Sequence, residues 1–227
     1  FKELAKINLE PHQTHEYFIK NAVFWASKGF DGFRIDHVIG VPHSFLKDLR
    51  KRCTAINPSF VLIGEAWAEG IPRSFFNTLR IRNRVFHKTF GISQKRIQLQ
   101  YRNILNSVID FECRNILLNY AKGVIDRDTM YRNLDKHLNY YDDNFFPLLF
   151  LDNHDTNRIM FECGNDKKKV LELFEIIRNR NVPISVYTGT EQLLTHDKSI
   201  FSGIPYADNA VRKPMNFDGK IVVNLWR

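Results

Sequence analysis

Gly32-Phe33-Arg34-Ile35-Asp36-His37 is a short apolar run that ends on an acid. Two later stretches repeat the form: Leu62-Ile63-Gly64-Glu65-Ala66-Trp67 and Phe150-Leu151-Asp152-Asn153-His154-Asp155. Such a run reads as a buried strand that delivers a charged group to the rim of a sheet. In a protein that alternates strands and helices, the rim is where chemistry sits. Three acids on three separate strands predict one site assembled from distant parts of the chain.

The segments around these runs alternate in character. Asn8 to Pro11 predicts a helix start, with Asn8 or Glu10 as cap. Phe18, Ala22 and Trp25 follow at spacings of four and three, the stripe of a buried helix face. Gly29 closes that helix, and Phe30 to Asp36 is the first strand. Leu46, Leu49 and Cys53 stripe a second helix, and Phe60 to Ala66 is a second strand. Ser107 to Phe111, Pro147 to Asp152 and Val182 to Tyr187 read as three more strands. Val170, Phe174 and Ile177 stripe a helix before the last of them. Strands alternating with helices imply βαβ units and a parallel sheet. Asp36 and Glu65 are 29 positions apart, about one βα repeat, which places them on neighbouring strands at the same rim.

The bulk numbers narrow the class. A chain of 227 residues is long enough for one α/β domain. A net charge of +8 and a pI near 9.4 invite a nucleic-acid partner. The basic residues are spread along the chain, however. The densest stretch, with Arg80, Arg82, Arg84, Lys88, Lys95 and Arg96, carries no nucleic-acid motif, so the expectation is a solvated basic face and no nucleic-acid partner. Cys53, Cys113 and Cys163 are odd in number and lack CxxC spacing, which argues against a disulfide framework or a zinc site and leans toward a reducing compartment. No run of eighteen apolar residues is present, so no membrane partner is expected. The chain starts without Met, as if in mid-domain.

Two carboxylates facing each other across a sugar are the minimum equipment for glycoside hydrolysis. Arg34 lies two positions before Asp36, so both side chains share a strand face, and its guanidinium favours an ionised nucleophile. Glu65 has apolar neighbours Ile63, Ala66 and Trp67 and no adjacent cation in sequence. Desolvation there suits a general acid. Asn153, His154 and Asp155 form a donor-and-acceptor cluster for sugar hydroxyls. His37 is a candidate for substrate contact or for packing, and Trp67 for stacking on a sugar ring or for rim packing. The aromatic pairs Phe75-Phe76, Tyr140-Tyr141 and Phe145-Phe146 read as core or loop packing.

These motifs resemble those of the α-amylase family, family 13 of the glycoside hydrolases. Gly32-Phe33-Arg34-Ile35-Asp36 resembles the motif at the end of barrel strand four, whose Asp is the nucleophile. Ile63-Gly64-Glu65-Ala66-Trp67 resembles the motif after strand five, whose Glu is the acid/base. Phe150 to Asp155 resembles the motif after strand seven, whose Asp stabilises the transition state and whose His binds hydroxyls. Val182 to Glu191 and Arg212-Lys213-Pro214-Met215 resemble the segments at and after strand eight. The resemblance runs from about Leu4 to Phe217 and implies a (β/α)8 TIM barrel, here incomplete. Approximately strands four to eight are present and the first three βα units are missing, their place expected to be filled in cis or by a partner chain. The whole of 1–227 then reads as one partial catalytic barrel domain.

The implied activity is that of a retaining α-glycosidase acting on α-1,4-glucosidic bonds of starch, glycogen or maltooligosaccharides. The catalytic residues are Asp36, Glu65 and Asp155, and the substrate-binding residues are Arg34, His37, Trp67, Asn153 and His154. Transglycosylation on the same intermediate is the alternative. A non-catalytic relative acting as a partner subunit is another, and retention of all three acids weighs against it. Many family members have Lys-His where this chain has Ile39-Gly40, and the family's strand-three motif is absent. The usual calcium ligands are therefore missing or altered, and the resemblance leaves calcium open.

Overall fold

A computed structural model describes residues 5–67, 93–214, 217, 219, 221 and 222. Phe75-Phe76, Arg80, Arg82, Arg84, Lys88 and Met215 lie outside the described residues. The chain divides into two compact units, Phe1–Ile109 with Tyr141–Phe146, and Asp110–Tyr140 with Pro147–Arg227. Among the described residues no helix is long and apolar enough to cross a membrane.

The first unit runs α1 (His12–Ser27), β1 (Gly32–Ile35), α2 (His43–Ile56), β2 (Val61–Gly64), α3 (Gln94–Leu99) and β3 (Ser107–Ile109). β2 pairs in parallel with β1 from Gly32↔Val61 to Ile35↔Gly64, and with β3 at Ile63↔Ser107 and Gly64↔Val108. The parallel βαβ pattern expected from the alternation is thus present. Ile19, Leu46, Leu49, Cys53, Phe60, Leu62, Leu105 and Val108 are all at most 5% exposed and form its core. The α2 stripe of Leu46, Leu49 and Cys53 is therefore buried as expected.

The α1 stripe is shifted from the expectation. Ile19 and Ala26 are buried, Phe18 and Ala22 pack at the core's margin, and Trp25 is 49% exposed. A three-or-four spacing fits two adjacent stripes of a helix, and tertiary packing chose the other one. The helix start also differs. Pro11 occupies the cap position without a side-chain bond, and Asn8 instead accepts from the Glu10 N–H at 3.1 Å.

Two glycines set the strand spacing. A Cβ on Gly32 would lie 2.4 Å from the Val61 carbonyl oxygen, and one on Gly64 would lie 2.4 Å from Leu105 Cδ1 and 3.0 Å from Val38 Cγ1. Gly64→Ala should therefore overpack the core and lower stability by about 1–3 kcal/mol. Denaturant melts of both proteins test this, and an unchanged midpoint would contradict the close approach.

The second unit runs α4 (Phe111–Ala121), α5 (Arg127–Leu138), α6 (Ile159–Glu162) and α7 (Lys167–Arg178). Three aspartates start its helices. Asp110 accepts from Cys113 N at 3.0 Å, Asp126 from Thr129 N at 2.7 Å and Asp166 from Lys168 N at 2.9 Å, satisfying amides that a helix start leaves unpaired. Val170, Phe174 and Ile177 on α7 are buried with Leu117, Met130, Leu134, Leu149 and Leu151.

A fourth strand, β4 (Phe146–Leu148), begins in the first unit, where Phe146 N donates to Asn106 O at 3.0 Å, and ends in the second, where Leu148 O accepts from Asp110 N at 3.0 Å. The fifth strand expected over Val182 to Tyr187 is not formed. A single parallel bridge joins Leu149 to Ile184, built from Leu149 N→Pro183 O at 3.0 Å and Ser185 N→Leu149 O at 2.7 Å. Pro183 brings no N–H to a ladder.

Candidate active site

Because Ile35 pairs with Gly64, Asp36 and Glu65 leave their strands at the same level, and Glu65 N donates to Ile35 O at 2.9 Å. Arg34 points along the same strand face as Asp36. Its Nη1 donates to Asp36 Oδ1 at 2.7 Å, and its Nη2 lies 2.9 Å from Glu65 Oε1. The second contact is an ion pair by distance, and its N–H is not aligned for a hydrogen bond, so Glu65 Oε1 has no aligned donor despite being buried. Glu65 has no cation beside it in sequence, and folding supplies one in Arg34. The register sets Arg34 opposite Ile63, two residues before Glu65, and the guanidinium reaches across strands to both acids.

The two carboxylates differ in exposure. The Asp36 side chain is 72% exposed and the Glu65 side chain 8%. His37 follows in the left-handed region, φ 42 and ψ 48, a conformation that costs energy for a residue with a Cβ and concentrates at functional sites. It turns the His37 N–H onto Glu65 Oε2 at 3.1 Å. Burial holds the imidazole below its ordinary range, against the opposing pull of the Glu65 and Asp36 carboxylates, so the ring is neutral at pH 7. Trp67 is half-buried, two residues beyond Glu65.

In the second unit, the loop after β4 carries Asn153, His154 and Asp155. Asn153 Oδ1 accepts from Asp155 N at 2.9 Å, and Asn153 N donates to Thr156 Oγ1 at 2.9 Å. The Asn153 carbonyl group thus braces its own loop. His154 Nε2 lies 2.9 Å from Asp155 Oδ2. Arg212 binds the other carboxylate oxygen at 2.9 Å and the His154 carbonyl through Nε at 3.1 Å, and it also pairs with Asp208. Its motif was legible, but the contact with Asp155 depends on folding across 57 residues.

Two residues support the loop, Asp152, which ends the third apolar run, and Arg158, which gave no sequence signal of a role. Asp152 is buried, accepts from Thr190 Oγ1 at 2.6 Å and from Ile159 N at 2.9 Å, and burial pushes its carboxyl group up while these donors pull it down. Arg158 is buried, donates to the carbonyls of Thr188 at 2.8 Å and Val211 at 2.7 Å, and stacks 4.0 Å from the Tyr187 ring. Together they tie the Asp155 loop to the strand-eight-like segment. Glu191 supports that segment by accepting from Gly189 N at 2.8 Å. The structure thus gathers Arg34, Asp36, His37 and Glu65 in one unit, and His154, Asp155 and Arg212 in the other.

The turn after His37 carries none of the side-chain donors that calcium takes. Ile39 is buried in the core and Gly40 has no side chain, so this turn offers no side-chain oxygen. Among the described residues, His15, Glu16 and Asp48 place three ligand atoms within 4.8 Å of one another, but Arg52 already pairs with both of those carboxylates. That cluster joins α1 to α2 by charge.

A family model described as the alpha-amylase catalytic domain matches residues 1–220. Neopullulanase 2 of Thermoactinomyces vulgaris is 24% identical over 221 residues, 96% of this chain and 32% of the relative. A cyclomaltodextrin glucanotransferase of Geobacillus stearothermophilus is 27% identical over 196 residues, 85% of this chain and 24% of the relative. The chain thus spans about a third or less of the length of these relatives. Among solved structures, a cyclomaltodextrinase superposes with a TM-score of 0.70 at 22% identity, over 94% of this chain and 31% of that one. The cyclic α-maltosyl-(1→6)-maltose hydrolase of Arthrobacter globiformis gives 0.66 at 19%, over 89% and 42%. These likenesses show the fold, an α/β architecture with a parallel sheet like that of amylase barrels. With the catalytic-domain model matched from residue 1 to residue 220, the chain belongs to the α-amylase family of glycoside hydrolases.

Proposed function

We propose that this chain carries the catalytic acids of a retaining α-glycosidase that cleaves α-1,4-glucosidic bonds in starch, glycogen or maltooligosaccharides. The observation that supports this most is the guanidinium of Arg34 set against both Asp36 and Glu65 at the ends of paired strands. Asp36 attacks the anomeric carbon as the glycosidic C–O bond breaks, and Glu65 gives its proton to the leaving oxygen. The resulting glycosyl ester on Asp36 is opened by water. Glu65, now a base, takes the water's proton and Asp36 leaves as carboxylate. Arg34 stabilises Asp36 as an anion before attack and after release. Asp155, held by Arg212 and His154, stabilises the positively charged sugar, while Asn153, His154, His37 and Trp67 contact substrate.

This reading needs the first three βα units of the barrel, supplied in cis or by a partner chain. Glycosyl transfer would use the same intermediate with a sugar hydroxyl in place of water, and a glucanotransferase among the relatives supports keeping it as the second reading.

Stereochemistry tests the mechanism. Proton NMR of maltoheptaose digestion by the complete protein should show the α-anomer of the new reducing end first, with β appearing only by mutarotation. Initial release of the β-anomer would contradict a nucleophilic role for Asp36, because it requires the wider inverting geometry of about 6.5–9.5 Å between carboxyl groups.

A further inference from the structure

The backbone around Glu65 is held from two sides. On one side, Glu65 N donates to Ile35 O at 2.9 Å and Glu65 O accepts from Val38 N at 3.1 Å. On the other, the carbonyl of Ala66 accepts a 2.6 Å bond from Gln94 Nε2. Gln94 opens α3 and is 8% exposed. The same Nε2 donates to Gln98 Oε1 at 2.8 Å, one helical turn on. Gln98 is fully buried, and its Nε2 donates to the Tyr141 hydroxyl at 2.8 Å. Tyr141 in turn stacks on the buried Phe145, with ring centroids 5.4 Å apart.

This is an expensive way to build a core. Two primary amides buried side by side lose their hydration, where two apolar residues would pack without that loss. Neither amide is placed to cap α3, whose cap is Ser93, accepting from Arg96 N. The chain of amides holds the carbonyl immediately after Glu65.

We propose that Gln94, Gln98 and Tyr141 form a positioning strut for Glu65, which rests on the reading of Glu65 as the acid/base. With Glu65 O held by Val38 and Ala66 O held by Gln94, the two peptide planes that follow Glu65 cannot rotate. The carboxylate then stays against Arg34 and the His37 N–H. Displacement of a catalytic group by about 1 Å costs on the order of 100-fold in rate, so a strut of this kind acts on turnover more than on binding.

The test uses the complete protein with maltoheptaose as substrate, and compares wild type with Gln94→Met, Tyr141→Phe and Glu65→Gln. Gln94→Met keeps the side-chain length and loses both donated bonds. Its expected effect is a kcat lower by about 10- to 100-fold, a KM close to wild type, and a displaced alkaline limb of the kcat profile, because that limb reports the acid in the bound complex. Tyr141→Phe should move the same limb in the same direction by less, and it decides the matter if Gln94→Met fails to fold. A purely structural role would lower the melting temperature and leave the alkaline limb in place, which would overturn the proposal. Glu65→Gln separates the two levels. If it abolishes turnover while the strut variants leave kcat and the limb unchanged, the strut is wrong and the acid/base reading stands. If Glu65→Gln turns over like wild type, both fall.

Discussion

Replacing Asp36 with Asn is expected to lower turnover of maltoheptaose by the complete protein on the order of 10⁴-fold or more, the scale seen when a covalent nucleophile is removed. The side chain keeps its size. An amide is a poor nucleophile, and as a neutral group it no longer draws the Arg34 guanidinium. Because the Asp36 side chain is mostly exposed and packs against little else, the loss should come with an unchanged melting temperature. Steady-state kinetics and a thermal melt on the same preparation check both parts. A variant with wild-type turnover would remove Asp36 from the chemistry.

The second large effect is expected at Arg34. Its two nitrogens each meet a different carboxylate, Asp36 at 2.7 Å and Glu65 at 2.9 Å, a division of labour that a planar fork of donors can make and a point charge cannot. Arg34→Met should remove the shared cation and lower kcat by about 10²- to 10³-fold, the scale of losing one preorganised charge-stabilising group. Arg34→Lys should recover only part of that loss, since one ammonium cannot hold both partners in the same geometry. Parallel kcat and KM measurements on the two variants decide this. Full activity in Arg34→Lys would mean that the bridge between the acids is not needed.

What could be read from the chain follows the range of the interactions. The runs ending at Asp36 and Glu65 were legible because a strand and its rim residue are adjacent in sequence, and the register Ile35↔Gly64 set the two acids level as their spacing implied. The strand expected over Pro147 to Asp152 instead stops at Leu148, and Asp155 lies on the loop beyond it. The stripes on α2 and α7 were legible for the same local reason. Trp25 was misplaced because a helical spacing admits neighbouring stripes, and only packing against α2 and the sheet selects one. The strand expected at Val182 to Tyr187 dwindled to one bridge beside Pro183. The sharing of Arg34, the hold of Arg212 on Asp155, and the amides of Gln94 and Gln98 all depend on partners on other elements. Asp152 and Arg158 are buried charges whose partners, Thr190, Thr188 and Val211, lie 30 to 53 residues away in sequence. Nothing local distinguishes Arg158 from a surface charge, and the apolar run before Asp152 marks a strand end without naming its partners.

The central claim is that Asp36 forms a covalent bond to the sugar, and trapping tests it most directly. A fluorinated maltosyl fluoride slows both steps and accumulates the glycosyl-enzyme when deglycosylation is the slower. The complete protein, inactivated with this reagent, digested and sequenced by mass spectrometry, should carry one glycosyl group on the peptide containing Asp36, at that residue. A label on Glu65 or Asp155, or inactivation with no covalent label, would contradict the account.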